Sequence, residues 1–269
     1  MSRFLDTMAA RSRQRAEQAT ARSSLSERRE AVLSGSGPRS IGTFGAVFDV
    51  IAEVKPRSPS EGAFPERRPA ETAEGYQTGG AAMISVLTEP SEFGGSIEML
   101  EAVAAAVSVP VLAKDFLVDP IQVYEAREAG ADGVLVIARI LSDEAILEIL
   151  DAVSESGAFA LIEAFDGDDL KRIRRVVSGR ENLVVGVNCR DLDTLEVVPE
   201  RHAALAGQLP GEVVSVAESA MQDPADIERV ATYGYRAALV GSALMRTDDP
   251  GQLVSEMIEA GRRAVTVLS

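Results

Sequence analysis

Eight short apolar segments recur along this chain from residue 47 onward, and stretches of helical composition separate them. Their starts lie about 23 to 34 residues apart, the length of one strand plus one helix. Each segment is a nearly continuous apolar run, which is typical of strands covered on both faces. The eight segments are 47–55, 81–88, 110–116, 133–141, 158–165, 183–188, 213–219 and 237–244. The series predicts an α/β fold of the (β/α)8 (TIM) barrel type.

A doubly wound parallel sheet would use the same alternation of strands and helices. Where such a sheet binds a dinucleotide, a glycine-rich fingerprint follows the first strand, and none follows residues 47–55. The helical segments 73–81, 122–132 and 226–237 each carry a glycine just before the next apolar run, as short helix-to-strand loops do. These observations favour the barrel, and the open sheet remains the alternative.

Residues 1–46 stand outside the eightfold count. Residues 3–32 are helical in composition, and residues 34–45 have the Gly, Ser and Pro content of a linker. We therefore expect one or two extra helices before the barrel. The predicted organisation is a single barrel domain over residues 1–269, with 1–46 as its N-terminal helical extension and linker.

Charge and composition exclude several classes of function. The 42 acidic and 27 basic residues give a net charge of −15, which opposes nucleic-acid binding. No apolar run is long enough to span a membrane, and the N-terminus lacks a secretory signal, so we expect a cytoplasmic protein. Cys189 is the only cysteine and His202 the only histidine, which argues against a disulfide framework and a Cys/His zinc site. We expect Cys189 to be a small buried residue and His202 to lie at the surface.

The first apolar segment carries an acid and a base. Glu53 and Lys55 are two residues apart, so strand alternation puts both side chains on one face. The Ser58-Pro59-Ser60 sequence that follows marks a turn. An exposed ion pair on an edge strand is the alternative interpretation of the Glu53–Lys55 pattern.

Five of the predicted strands carry polar residues near their carboxyl ends, where the active site of a barrel forms. These residues are Glu53, Lys55, Lys114, Asp115, Glu163, Asn188, Arg190, Glu218 and Ser219. Any one of them is compatible with a solvated loop. Together they predict a single site at the barrel mouth.

Two of these residues suit acid–base chemistry. A buried lysine beside carboxylates keeps its proton and can act as a general acid, which is the role we predict for Lys114. A carboxyl group crowded by another carboxylate has a raised pKa and suits a general base, which fits Glu163. The sequence therefore predicts proton transfer at this mouth.

A phosphate site is predicted beside the acid–base pair. Barrels commonly hold phosphate at the turns after their last two strands, where Gly241 and Ser242 lie. Ser58 and Ser60, after the first strand, add hydroxyl donors. An ordinary turn is the alternative interpretation of these two serines.

Four motifs occur in order along the chain. They are E-V-K-x-x-S-P-S-x-G at Glu53–Gly62, the segment TGGAAMISVLTEPSEFGGS within 76–96, K-D-F at Lys114–Phe116 and N-x-R-D-L at Asn188–Leu192. On these motifs the chain resembles the indole-3-glycerol phosphate synthase family, the (β/α)8 enzymes of tryptophan biosynthesis. The resemblance covers essentially the whole chain.

The resemblance implies a ring closure without a metal or organic cofactor. The implied substrate is 1-(2-carboxyphenylamino)-1-deoxyribulose 5-phosphate, from which carbon dioxide and water are released. Lys114 would protonate or polarise the ketone, and Lys55 would help to hold or protonate the substrate. Glu163 would assist proton removal during dehydration, and Glu53 would orient the lysines.

The resemblance also implies a set of binding residues. Those implied to hold the substrate are Asn188, Arg190, Glu218, Ser219 and Phe116, and those at the phosphate are Ser58, Gly241, Ser242 and Ala220. Residues 1–46 would cover part of the mouth as a lid. The small phosphorylated substrate is the expected partner, and other tryptophan-pathway enzymes are candidate protein partners.

Some residues depart from the family pattern. Phe165 stands where a histidine is usual, and Ala220 replaces a glycine beside the phosphate, where it would narrow the pocket. Glu61 occupies a position that is often basic. These departures leave two alternatives open: a divergent paralogue with a related phosphorylated substrate, and a noncatalytic barrel that serves as a scaffold.

Overall fold

Eight parallel strands close into a barrel in the structure, a computed structural model that describes residues 3–191 and 194–268. In chain order the strands are β1 (Asp49–Val54), β2 (Arg57–Ser58), β3 (Gly62–Ala63), β4 (Met83–Leu87), β5 (Val111–Lys114), β6 (Gly133–Ile137), β7 (Phe159–Ala164), β8 (Leu183–Asn188), β9 (Val214–Glu218) and β10 (Ala237–Val240). The barrel order is β1-β10-β9-β8-β7-β6-β5-β4, and β2 and β3 form a small antiparallel hairpin. Leu192, the last residue of the N-x-R-D-L motif, lies outside the described residues.

Each of the eight predicted strands is present, which confirms the (β/α)8 prediction. Every residue of β1, β4, β6, β7, β8 and β10 is buried, as expected for strands covered on both faces. Two of the predicted strands extend into residues that are helical in the structure. Ala138–Ile140 forms a 3-10 helix and Ser242–Arg246 an α-helix, because the apolar run continues past the strand into a helical turn that composition does not distinguish.

Helices surround the barrel and precede it. They are α1 (Arg3–Arg22), α2 (Leu25–Ser34), α3 (Pro69–Thr78), α4 (Ile97–Ala106), α5 (Ile121–Glu128), α6 (Asp143–Glu155), α7 (Gly167–Val177), α8 (Glu200–Ala206), α9 (Pro224–Thr232), α10 (Ser242–Arg246) and α11 (Pro250–Leu268). Ser96, Ser142, Asp166 and Asp223 begin α4, α6, α7 and α9, and each side chain accepts hydrogen bonds from backbone N–H groups of the first turn. No helix within residues 3–191 and 194–268 is long and apolar enough to cross a membrane.

Strand β1 closes the barrel because it pairs with the second strand of the barrel on one side and with the last on the other. Glu53 is in register with Ser85 of β4, and Ala52 with Val240 of β10. Helix α11 packs against α9, α3 and β1, and so lies over the same seam. A Cβ atom at Gly79, at the end of α3, would overlap the backbone of Gly251. This glycine lets α3 and α11 approach closely.

Helices α1 and α2 both pack against α5, which confirms the expected extra helices before the barrel. Arg15 of α1 forms an ion pair of 2.5 Å with Asp115, and Arg11 forms one of 2.7 Å with Glu92. Leu5 and Met8 are almost completely buried in the main core. Helix α1 is therefore fixed against the end of β5 and the loop after β4.

Candidate active site

A cavity opens at the carboxyl ends of the barrel strands, with a volume of about 950 Å³ including its open mouth. The predicted site residues all line it: Glu53, Lys55, Ser58, Lys114, Phe116, Glu163, Asn188, Arg190, Glu218, Ser219, Ala220, Gly241 and Ser242. Strands on opposite sides of the barrel thus bring their polar ends to one place.

Lys114 lies between two carboxylates at the end of β5. Its Nζ atom donates to Glu163 Oε2 at 3.3 Å and to Glu218 Oε2 at 3.4 Å. Burial by itself lowers the pKa of Lys114, but the negative charges of Glu163, Glu218 and Glu53 outweigh it, so the pKa is raised above its ordinary value. Lys114 therefore carries a proton and a positive charge inside the cavity.

Glu218 is the carboxyl group of this cluster whose pKa is raised. Burial is the main cause of its raised pKa and the charge of Glu163 adds to it, while Lys114 opposes both. Its Oε1 atom is buried without a hydrogen-bond partner among the described residues. A Cβ atom at Gly186 of β8 would overlap Oε1, so the absence of a side chain there makes room for the carboxyl group. Glu218 therefore retains a proton to a higher pH than an ordinary carboxyl group, beside the charged Lys114.

The Glu53–Lys55 pair forms the wall on the β1 side. Lys55 Nζ lies 3.1 Å from Glu53 Oε1, and the two side chains are 12% and 5% exposed. The shared face predicted from strand alternation is confirmed, and the alternative of an exposed edge pair is wrong. A Cβ atom at Gly241 would overlap the Glu53 carboxyl group and crowd Lys55 Nζ. Gly241 thus lets both side chains reach the cavity.

Ser219 and Ala220 form a bend directly after β9, and Asn188 at the end of β8 lies beside it. Ser219 and Ala220 have φ angles of 65° and 60°, in the left-handed region that favours glycine. Ser219 Oγ donates to Asn188 Oδ1 at 2.9 Å, and the Arg190 backbone N–H donates to the same atom at 2.9 Å. Asn188 therefore holds this strained bend in place, in addition to facing the cavity.

A corner of the cavity beside β1 and β10 carries hydroxyl and cationic groups. Ser58 Oγ is buried there and has no hydrogen-bond partner within the described chain. Ser242 Oγ donates to the Glu61 carboxylate, which also contacts Arg246. We refer to Ser58, Gly241 and Ser242, with Arg246 beside them, as the phosphate corner.

Aromatic rings form another wall of the cavity. The Phe116 ring lies 6.2 Å from that of Phe4 in α1 and 6.1 Å from that of Phe93, measured between centroids. All three rings line the cavity. Phe93 belongs to a motif noted in the sequence but was not singled out, and Phe4 gave no local signal because its position depends on how α1 docks.

Two other residues singled out in the sequence, Phe165 and His202, do not lie where they were expected. Phe165 lies outside the cavity lining, where it packs under the Arg139 guanidinium at 5.0 Å, so it does not shape the ligand pocket. The surface prediction for His202 is wrong: it is buried, its Nε2 atom lies 3.2 Å from the carbonyl oxygens of Val187 and Glu218, and its ring packs against Tyr235. Hydrogen bonding to backbone carbonyls makes that burial possible.

Two further residues noted in the sequence, Cys189 and Asp115, have structural roles. Cys189 is buried as expected, and burial raises its pKa to about 12. Asp115 lines the cavity, but its carboxylate is engaged by Arg15 and by Thr88 Oγ1 at 3.1 Å. Among the residues that the structure describes, no group of three His, Cys, Asp or Glu side chains is arranged to hold a metal ion.

Comparison with protein families and curated proteins gives one consistent result. The family model described as indole-3-glycerol phosphate synthase matches residues 5–257. The chain is 46% identical over 215 residues to the indole-3-glycerol phosphate synthase of Kineococcus radiotolerans, covering 79% of this chain and 76% of that one. The enzymes of the same name from Mycobacterium leprae and Rhodococcus opacus are 44% and 43% identical over 213 residues, covering 79% of this chain and 77% and 78% of theirs.

Solved structures of other enzymes share the fold. The 3-hexulose-6-phosphate synthase of Salmonella typhimurium superposes with a TM-score of 0.64 at 16% identity, covering 81% of this chain and all of that one. The thiamine phosphate pyrophosphorylase of Pyrococcus furiosus gives a TM-score of 0.60 at 14% identity over 83% of this chain. At such low identity the likeness supports the barrel architecture alone.

Proposed function

Because this chain belongs to the indole-3-glycerol phosphate synthase family, we propose that it closes the indole ring of 1-(2-carboxyphenylamino)-1-deoxyribulose 5-phosphate with loss of carbon dioxide and water. The reaction places it among the carbon–carbon lyases. The observation that carries the proposal is Lys114, charged and held between Glu163 and Glu218 in a cavity with an aromatic wall and a phosphate corner. These features match the three parts of the substrate.

Lys114 is the proposed general acid. As the anthranilate ring carbon attacks the ketone, negative charge develops on the ketone oxygen, and a positioned ammonium group stabilises it and supplies a proton. The raised pKa of Lys114 keeps that proton available. Glu163, 3.3 Å from Lys114 Nζ, is placed to accept a proton during the later dehydration.

Lys55 and Glu53 have supporting roles in the proposal. Lys55 Nζ points into the cavity beside Glu53 and is available to an anionic substrate. Its contact with the Phe64 ring, 5.6 Å from the centroid, limits its movement. Glu53 orients Lys55 and contributes to the raised pKa of Lys114.

The remaining lining residues divide between the ends of the substrate. We assign the aromatic ring to the wall around Phe116, where apolar surface is buried on binding. We assign the phosphate to the corner of Ser58, Gly241 and Ser242, where Ser58 Oγ lacks a partner in the described chain. Asn188 and Ser219 lie between these regions and are placed to meet the hydroxyl groups of the ribulose chain.

Turnover of the synthetic substrate tests the proposal. Purified protein incubated with this compound should generate indole absorbance and fluorescence, and the chain contains no tryptophan that would obscure this signal. Absence of product at high enzyme concentration would contradict the proposed function. A strong preference for a substituted carboxyphenylamino analogue would favour the divergent paralogue instead.

The cellular setting is also a proposal. The composition supports a cytoplasmic enzyme made of one barrel domain with residues 1–46 as its extension. Other tryptophan-pathway enzymes are the proposed protein partners, since they make and consume the compounds bound here. Co-purification of the tagged protein from a native extract checks these associations.

A further inference from the structure

Glu61 places a carboxylate of the chain itself against the phosphate corner. It lies in the turn of the β2–β3 hairpin, and its side chain is 18% exposed. Ser242 Oγ donates to Oε1 at 2.9 Å, and Arg246 Nη2 forms an ion pair with Oε2. Arg190 Nη2 lies 3.7 Å from Oε1. Glu61 therefore already holds the donors that suit an anionic ligand.

Ser58 lies at the other end of the same turn. Unlike Ser242, its hydroxyl group is not paired with Glu61, and it indicates that a ligand binds in this corner. Its Oγ atom is buried and lacks a hydrogen-bond partner among the described residues, although it lines the cavity. A buried hydroxyl without a partner is unfavourable, and a ligand oxygen would satisfy it. The two hydroxyl groups of the phosphate corner thus differ: Ser242 Oγ is paired with Glu61, and Ser58 Oγ has no partner among the described residues.

A phosphate and a carboxylate use the same kinds of donor. Arginine and hydroxyl groups bind both through charge-assisted hydrogen bonds. Two anions held side by side repel each other, and the repulsion is stronger where solvent is partly excluded. A phosphate that takes the donors of Ser242 and Arg246 must therefore move the Glu61 carboxylate away.

The hairpin that carries Glu61 has few buried residues. Strands β2 and β3 have two residues each, and Arg57, Ser60, Gly62 and Ala63 are exposed. The contacts that attach the hairpin to the barrel include Arg190 Nη1 to Ser60 Oγ at 2.8 Å as well as those of Glu61. Segments with few buried contacts open at low cost.

We propose that Glu61 is an internal competitor for the phosphate group: the substrate phosphate displaces its carboxylate from Ser242 and Arg246, and the hairpin shifts as it does so. The inference rests on the proposed function, because it takes this corner as the phosphate site. Glu61 thereby lowers the affinity of the site for phosphorylated ligands.

Inorganic phosphate is the probe that tests this role. Its Kd, measured by titration calorimetry at constant ionic strength, should fall about fivefold in Glu61→Gln, because the neutral amide neither repels phosphate nor holds Arg246 as an ion pair. Glu66→Gln is the matched control. It removes the same charge from an exposed side chain nearby that makes no hydrogen bond or ion pair in the described chain, so its Kd should equal that of the unaltered protein.

The outcomes separate this inference from the proposed function. In turnover assays the KM of Glu61→Gln for the ribulose phosphate substrate should fall by a similar factor. An unchanged or weaker phosphate affinity in Glu61→Gln would overturn the inference, and so would an equal gain in Glu66→Gln. If the unaltered protein does not turn over the substrate, the proposed function fails, while the phosphate titrations still decide the role of Glu61.

Discussion

Lys114 owes its charge to its neighbours. Two carboxylates within 3.4 Å keep it protonated although it is buried, and the lysine in turn offsets their mutual repulsion. The three side chains therefore form one electrostatic unit. Changing any one of them alters the protonation of the other two.

Replacing Lys114 tests the assignment of the general acid. Lys114→Met keeps the aliphatic stem but removes the proton donor, so turnover should fall about 10²-fold or more. Lys171→Met is the control, because Lys171 is 70% exposed in α7 and its one ion-pair partner among the described residues is Asp168, one turn away. Steady-state kinetics measure both variants, with circular dichroism as the check on folding. Unchanged turnover in Lys114→Met would remove Lys114 from the mechanism.

The raised pKa of Glu218 predicts that the free energy of unfolding depends on pH. Its pKa in the folded protein is raised above 4.5, so as pH rises from about 4.5 the unfolded chain releases this proton while the folded protein retains it. The contribution of Glu218 to the free energy of unfolding therefore falls with rising pH. Glu218→Gln removes this dependence, and its stability relative to the unaltered protein should increase between pH 5 and pH 8.

Urea unfolding at the two pH values measures the difference. Glu148→Gln, a change at an exposed position of α6, is the control and should show no such trend. A stability difference between Glu218→Gln and the unaltered protein that is the same at pH 5 and pH 8 would contradict the raised pKa.

Local sequence pattern predicted most of the strands and lining residues, because both depend on short-range features. Alternation placed Glu53 and Lys55 on one face, and strand ends placed Lys114 and Glu163 at one mouth. The raised pKa of Glu218 required more, since it depends on the room left by Gly186 in a neighbouring strand. The space between Gly186 of β8 and Glu218 of β9 cannot be read from the residue pattern of either strand alone.

At the scale of elements, the docking of helices was hardest to predict. Helix α1 contributes Phe4 to the cavity through contacts with the loop after β4 and the end of β5, and no periodicity in α1 specifies that position. The burial of His202 has a similar origin, because its partners are carbonyl oxygens of β8 and β9. The sequence indicated helix α1 but gave no information about the surface it covers, and it placed His202 in a loop where the structure has α8.

Gly75 within α3 and Gly79 directly after it give a prediction about helix packing. A Cβ atom at Gly79 would overlap the Gly251 backbone, so Gly79→Ala should force α3 and α11 apart and destabilise the protein by about 1–3 kcal/mol. A Cβ atom at Gly75 would meet open space, so Gly75→Ala should stabilise the protein by up to about 1 kcal/mol through helix propensity. Thermal and urea unfolding measure both changes. Equal effects of the two substitutions would contradict the close approach of α3 and α11.

At the scale of the whole molecule, we expect barrel closure to depend on helix α11. Helix α11 packs against α9 and α3, which lie on either side of the β1–β10 seam. A chain that ends after Asp249 lacks α11 and exposes Phe48, whose ring packs against Gly261. We expect this variant to lose cooperative unfolding and to bind a hydrophobic dye.

A chain that ends after Val265 is the matched control. It loses residues 266–269, among them the exposed Thr266 and Val267, but keeps every residue of α11 that the structure describes as buried, so it should unfold cooperatively at nearly the same temperature. Cooperative, dye-free unfolding of the variant that ends after Asp249 would show that α11 is dispensable for closure.

The pairing of β1 with β10 has a consequence for how the protein is made. During synthesis Asp49–Val54 leaves the ribosome long before Ala237–Val240, so one edge of β1 has no strand to pair with until β10, the last strand of the barrel, has been made. An unpaired strand edge invites association with other nascent chains. Newly made chains should therefore depend on chaperones until β10 is released, and synonymous codons that slow translation between β9 and β10 should lower the yield of active protein.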